Sequence, residues 1–255
     1  MKRLLIIFCL SFVVLNSVYA QDAYIKRQYV MQKWNPEKKM RCDSTFQVRF
    51  MVKNGKVNFA DIDLWTFDGK VKKVWLRFEG SGWKAYEPFN KSLKAIRNKF
   101  KRWIETAKVN NVKSFSKEIK LEDAPMPKFN FYFEVDDKGY YITPHPRWNP
   151  VMTFTPYFIV EDGEAFVQMA FKSCDASRPK DVQGYVPSLW SVVLTHAAGG
   201  DEETATFYKF GMAFYSIEEI QGLIDALDIS NELQELKEKE HKEQKEKEEI
   251  DKLFK

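Results

Sequence analysis

Cysteine, histidine and long apolar runs are all scarce in these 255 residues, and each scarcity excludes a class of protein. There are three cysteines and three histidines. Neither Cys-x-x-Cys nor His-Glu-x-x-His occurs, so a structural zinc site and a zinc-protease centre have no support, and no metal or cofactor is expected. Gly80-Ser81-Gly82-Trp83-Lys84 has the spacing of neither a P-loop nor a serine-hydrolase elbow, and it reads as a flexible turn. Asp136-Asp137-Lys138-Gly139 and Asp201-Glu202-Glu203 are acidic without calcium-loop spacing, and both read as hairpin tips.

Only one apolar run stands out, and it is short. Residues 4–15 are apolar except for Ser11, follow Lys2 and Arg3, and lead to Val18-Tyr19-Ala20. That pattern predicts a secretory leader over residues 1–20. The run falls short of the ~20 residues a membrane span needs. No later stretch reaches that length, so no transmembrane segment is expected after cleavage. The mature chain is expected in the periplasm or outside the cell.

Cys9 falls within the leader, which leaves Cys42 and Cys174. An even pair in an exported chain predicts one disulfide. The rival use of Cys174, as a nucleophile with His196 as its base, competes for the same sulfur.

Charge of one sign is not in excess overall. The formal charge is +4, and removing Lys2 and Arg3 brings it to +2. A general nucleic-acid binder would be far more basic, so nucleic acid is not an expected partner. The distribution is less even: residues 84–128 hold twelve Lys and Arg against five Asp and Glu. Aromatics are abundant, with 21 Phe, 11 Tyr and 7 Trp, and such a chain can bury a real core.

The apolar pattern has period two over most of the chain. Residues 45–52 and 57–62 flank Asn54-Gly55, the strongest short hairpin signal because both residues tolerate positive φ. Residues 64–67 and 71–78 flank Asp68-Gly69, with Val74, Leu76 and Phe78 on one face and Lys73, Trp75 and Arg77 on the other. Further hairpins are predicted at 129–135 with 140–143, at 151–160 with 165–171 around Asp162-Gly163, and at 189–195 with 206–212. Residues 21–44 show no clear period.

Two segments change to a helical period. Phe89, Leu93, Ile96, Phe100, Trp103, Ile104 and Ala107 make one stripe, with Asn110-Asn111 as its stop. Ser216 and Glu219 match a capping box ahead of Ile217, Ile220, Leu223, Ile224 and Leu227. From Asn231 the composition turns to Glu and Lys, with i, i+4 pairs such as Glu235 with Lys239. The expected fold is therefore α+β. Antiparallel hairpins form one or two sheets, covered by amphipathic helices near 89–108 and 216–228, and a charged C-terminal helix follows. The domain plan is a leader (1–20), a globular region (21–230) with possible subdomains at 43–123 and 128–230, and a solvated helical tail (231–255).

Chemistry is thinly represented. Residues 140–150 combine Tyr140, Tyr141, His145, Arg147 and Trp148 with Pro144, Pro146 and Pro150. Prolines hold such side chains ready at low entropic cost, and Tyr, Trp and Arg dominate binding hot spots. With Trp83 these residues are the candidate ligand-binding set, and no catalytic residue is assigned. The basic face of helix 89–108 could meet an acidic partner or a membrane surface, though a stripe this regular is expected to face a core. The leading functional expectation is an exported binding or accessory protein of unknown ligand or partner. The first rival is a hydrolase of envelope or extracellular polymers using two of Asp61, Asp63, Glu79 and Glu134. The second is a structural or assembly protein whose tail meets another chain. Mass spectrometry of the exported protein should find Gln21 as the first residue; a membrane-bound product retaining Met1 would contradict the leader.

Overall fold

The computed structural model describes residues 23–35, 37–66, 71–81, 85–122, 127–135, 140–142, 152–173 and 210–254. The fold is α+β, with two antiparallel sheets. The larger sheet orders β1 (Ala23–Asn35), β2 (Met40–Lys53), β3 (Lys56–Thr66), β4 (Val71–Glu79), β6 (Asn130–Val135) and β7 (Tyr140–Ile142), with β10 (Phe210–Gly211) beside the end of β3. The smaller orders β11 (Ala213–Phe214), β9 (Glu164–Ser173), β8 (Met152–Glu161) and β5 (Ser114–Glu118). Three helices follow the chain as α1 (Tyr86–Val109), α2 (Ile217–Ala226) and α3 (Ser230–Leu253). Among the described residues no helix is long and apolar enough to cross a membrane.

Turn chemistry sets the hairpins. Asn54 and Gly55 both have positive φ, and Lys53 pairs with Lys56, which leaves the two-residue turn the sequence predicts. Asp162 and Gly163 do the same between Glu161 and Glu164. Past the first turn the register slips at Met51/Val52, and Asn58 is left outside the pairing. Its carbonyl accepts the Gly80 N–H at 2.9 Å. A Cβ at Gly80 would lie 1.6 Å from the Val57 carbonyl oxygen. Gly80 is therefore a point of close backbone approach, which corrects its reading as part of a flexible turn.

The helix boundaries also follow from local residues. Asn111, at φ 50°, ends α1, and Val112 N–H returns to the Ala107 carbonyl at 2.9 Å. The capping box of α2 is complete: Ser216 accepts the Glu219 N–H, and Glu219 accepts the Ser216 N–H.

Helix α1 lies between the sheets, and its aromatic stripe joins them. Phe89 stacks on Phe78 of β4 at 4.9 Å and on Phe154 of β8 at 5.2 Å. Phe129 closes the group, 5.5 Å from Phe78 and 4.5 Å from Phe154. Lower on the helix, Phe100 and Trp103 meet Phe158 edge-on. Leu93, Ile96 and Phe100 are fully buried, so the apolar stripe of α1 is a core face. One hydrophobic cluster spans both sheets and all of α2.

Several elements differ from the sequence reading. β1 pairs with β2 over its whole length although residues 21–44 lack an apolar period. Its inward positions include Arg27 beside Ile25, Tyr29 and Met31, so a charge interrupts the pattern. β5 is an edge strand exposed at every position, which erases the alternation that would reveal it. β6 and β7 extend the first sheet instead of opening the second, while β5 joins the second. Tyr29 spans this frame, its hydroxyl donating to the Asp63 carbonyl.

No disulfide is seen among the described residues: Cys42 is a half-buried free thiol, and Cys174 lies outside them.

The C-terminal segment is helical, and its first turns are docked. Leu233 and Leu236 pack on the core, Glu232 pairs with Arg27, and the Lys237 stem lies over Gly55. From residue 241 to 254 every position is exposed. Ending the chain before residue 241 should leave thermal stability unchanged. Ending it after Ser230 should cost ~1–3 kcal/mol for two half-buried leucines and an ion pair, read from urea melts.

Candidate functional site

The face of the larger sheet turned away from α1 carries a lattice of charges and rings. Period-two alternation places Arg49 of β2, Phe59, Asp61 and Asp63 of β3, and Trp75 and Arg77 of β4 on that side. The register sets Asp61 between Arg49 and Arg77, and Asp63 beside Trp75. Arg77 grips both oxygens of Asp61, at 2.7 and 2.8 Å. Arg49 reaches diagonally to Asp63 at 2.8 Å. Each guanidinium also covers a ring: Arg77 lies 3.9 Å from the centre of Phe59, and Arg49 5.6 Å from Trp75. Asp61, Asp63 and Trp75 are buried. Fork-shaped guanidiniums suit this double task because they are planar and permanently charged.

The register sets Glu79 opposite Phe59, beside Asp61 on the same face. Further along, Glu134 pairs with Lys73 and Tyr141, and Tyr140 pairs with Val135. Trp83, His145, Arg147 and Trp148 lie outside the described residues. No group of three or more His, Cys, Asp or Glu suited to a metal occurs among the described residues.

A second surface forms where α1 meets β5. Trp103 and the exposed Phe115 both contact Phe158. Lys117 lies with its ammonium 5.6 Å from the Trp103 ring centre, and Lys99 donates to the Lys120 carbonyl. Arg102, the exposed neighbour of Trp103, adds another cation. On the opposite flank of α1 the charges are answered by α2. There Arg97 bonds Gln221, and a groove of about 500 Å³ sets Arg97 and Lys101 against Glu218 and Asp225. Lys94 helps hold the Asp228 carboxyl below its usual range, a shift caused mainly by the Ser230 hydroxyl. The β5 flank thus carries cations that α2 does not answer. The sequence shows the lysine excess, but not that β5 brings Lys117 beside Trp103.

The third cluster is a joint. Buried Glu219 accepts the Gln32 N–H at 2.7 Å with one oxygen, and the N–H groups of Tyr215 and Ser216 with the other. It thus fastens α2 to β1. Beside it Arg41 lies 3.9 Å above the Tyr215 ring and bonds Glu164 at 2.6 Å. Burial pushes the Glu219, Glu161 and Tyr215 groups up, and Arg41 pulls the last two back.

No protein family, curated protein or solved structure matches the chain.

The Glu219 joint gives a signed pH prediction. Its carboxyl is raised above the ordinary 4.5 by burial, so the folded chain holds that proton more tightly than the unfolded one. Its contribution to stability is full in acid and declines as pH rises from 4.5 through the raised value. Glu219→Gln cannot titrate, and it turns an amide donor toward a backbone donor. The variant should lose about 1–3 kcal/mol at low pH, and the gap to wild type should narrow as pH rises through that window, measured by urea melts at several pH values.

Proposed function

We propose that the protein is exported and works by binding, and that its partner is an acidic polymer held on the α1–β5 flank. The observation that supports this most is Lys117 held beside the Trp103 ring, next to the exposed Phe115, with Lys99 and Arg102 on the adjoining turns of α1. Cations beside exposed rings suit a polymer that offers carboxylates or sulfates between flat apolar faces. The proline-bounded segment with Tyr141, His145, Arg147 and Trp148 remains a second candidate contact.

The rival readings have weaker support. A polymer hydrolase needs one carboxyl free to give a proton and another free to act as base or nucleophile. Both oxygens of Asp61 are taken by Arg77, and Asp63 is held by Arg49. Contact with a membrane would need several apolar side chains to insert, and the stripe of α1 is already used in the core, which leaves Phe115 and Val109 as the exposed apolar side chains of this flank.

Binding of the purified protein to polygalacturonate should be measurable at low salt and vanish at high salt, where the Debye length falls to ~3 Å. Replacing Lys99, Arg102 and Lys117 together by Gln should weaken it about tenfold or more. Each substitution should cost stability no more than about 0.5 kcal/mol. Equal binding by the triple variant, or wild-type binding only to vesicles containing phosphatidylglycerol, would overturn the proposal.

A further inference from the structure

Strand β1 is thirteen residues long and lies at the edge of the larger sheet, with β2 as its only neighbour among the described strands. One hydrogen bond fixes which of its backbone groups point outward. The Gln32 N–H goes to Glu219, not to Asp43 opposite it on β2. In an antiparallel ladder the direction alternates, so Tyr24, Lys26, Gln28 and Val30 also turn their N–H and C=O groups away from β2. The same four side chains are exposed. Tyr24 is 66 % and Val30 44 % exposed, the large hydrophobic residues exposed among the described side chains of the strand. A long edge with outward backbone groups and exposed apolar side chains is a template for another strand.

We infer that β1 pairs with β1 of a second copy, antiparallel about a twofold axis at Arg27, to make one continuous sheet across a dimer. The register follows from the residues. Glu219 closes the edge at Gln32, which leaves positions 24 to 30. Centred on Arg27, Tyr24 faces Val30 of the second copy and Lys26 faces Gln28, and every outward backbone group of the four is satisfied. The two exposed apolar residues meet as an aromatic–β-branched pair, a favourable cross-strand combination. Centring on Lys26 would instead set two ammonium groups face to face, and centring on Gln28 would need the closed Gln32. At the axis each Arg27 already has its own counter-charge in Glu232. A twofold interface of this kind is self-complementary and closes at two chains, so it leads to no fibre. This pairing is independent of the acidic polymer, whose proposed surface lies on the other sheet.

Sedimentation equilibrium on the purified protein should give twice the chain mass at tens of micromolar. Arg27→Cys, with Cys42 and Cys174 changed to Ser, should form an intermolecular disulfide on mild oxidation. Directly opposed residues of a non-hydrogen-bonded pair come within about 4.5 Å, inside disulfide range. Lys26→Cys and Gln28→Cys in the same background should not, because neither faces itself. Gln28→Pro removes an outward N–H that the β1–β2 ladder does not use, so the chain should fold as a monomer. Val30→Lys should weaken the dimer about tenfold or more through the loss of two symmetric pairs. A monomer at 100 micromolar overturns the inference. So does a dimer that ignores Gln28→Pro or Val30→Lys, or that cross-links at 26 or 28 but not at 27.

Discussion

The stack of Phe89 between Phe78 and Phe154 is the contact on which the rest of the structure depends. Each ring belongs to a different layer: one to the large sheet, one to α1 and one to the small sheet. A helix with one apolar stripe ordinarily serves one sheet. Here Phe89 presents both faces of its ring, so one side chain serves two. Fully burying such a side chain stabilises by roughly 2–3 kcal/mol, and stacked pairs add ~0.5–1.5 kcal/mol each. That cluster makes α1 a covering layer for both sheets at once, and a sheet with one bare apolar face is not stable by itself.

Charge is used where packing runs out. The outer face of the large sheet has no helix among the described residues, yet Asp61, Asp63 and Trp75 are buried there. Guanidiniums make this tolerable by satisfying carboxylates and covering rings at once. Glu219 plays the same part at the other end of the core, where its two oxygens satisfy backbone donors from two elements. Both devices tie segments distant in sequence, and each would leave an unsatisfied buried group if one partner were lost.

Legibility in the sequence tracked how local each feature is. The Asn54-Gly55 and Asp162-Gly163 turns were readable because two residues decide them. So was the α2 cap, which needs only Ser216 and Glu219. The α1 stripe was readable because seven apolar positions repeat at helical spacing. β1 was not, because Arg27 occupies an inward position and is compensated by Glu232, a residue 205 positions away. β5 was not, because an edge strand exposed throughout needs no alternation. The candidate surface was half readable: the lysine excess showed, but its union with Trp103 and Phe115 required the β5–β8 pairing.

By itself the sequence determined the α+β class, the hairpins turning at Asn54-Gly55 and Asp162-Gly163, the two amphipathic helices and the charged character of the C-terminal helix, whereas the predicted strand 189–195 lies outside the described residues and the end of the 206–212 arm pairs with β3. Each of these rests on turn geometry, capping or periodicity, which act within a few residues. Tertiary structure decided which hairpins share a sheet. β6 pairs with β4 and carries β7 into the first sheet, while β5 pairs with β8 in the second, contacts between segments far apart in the chain. It also decided that the first turns of α3 dock while its distal half stays in solvent, since Leu233 and Leu236 alone find core to cover.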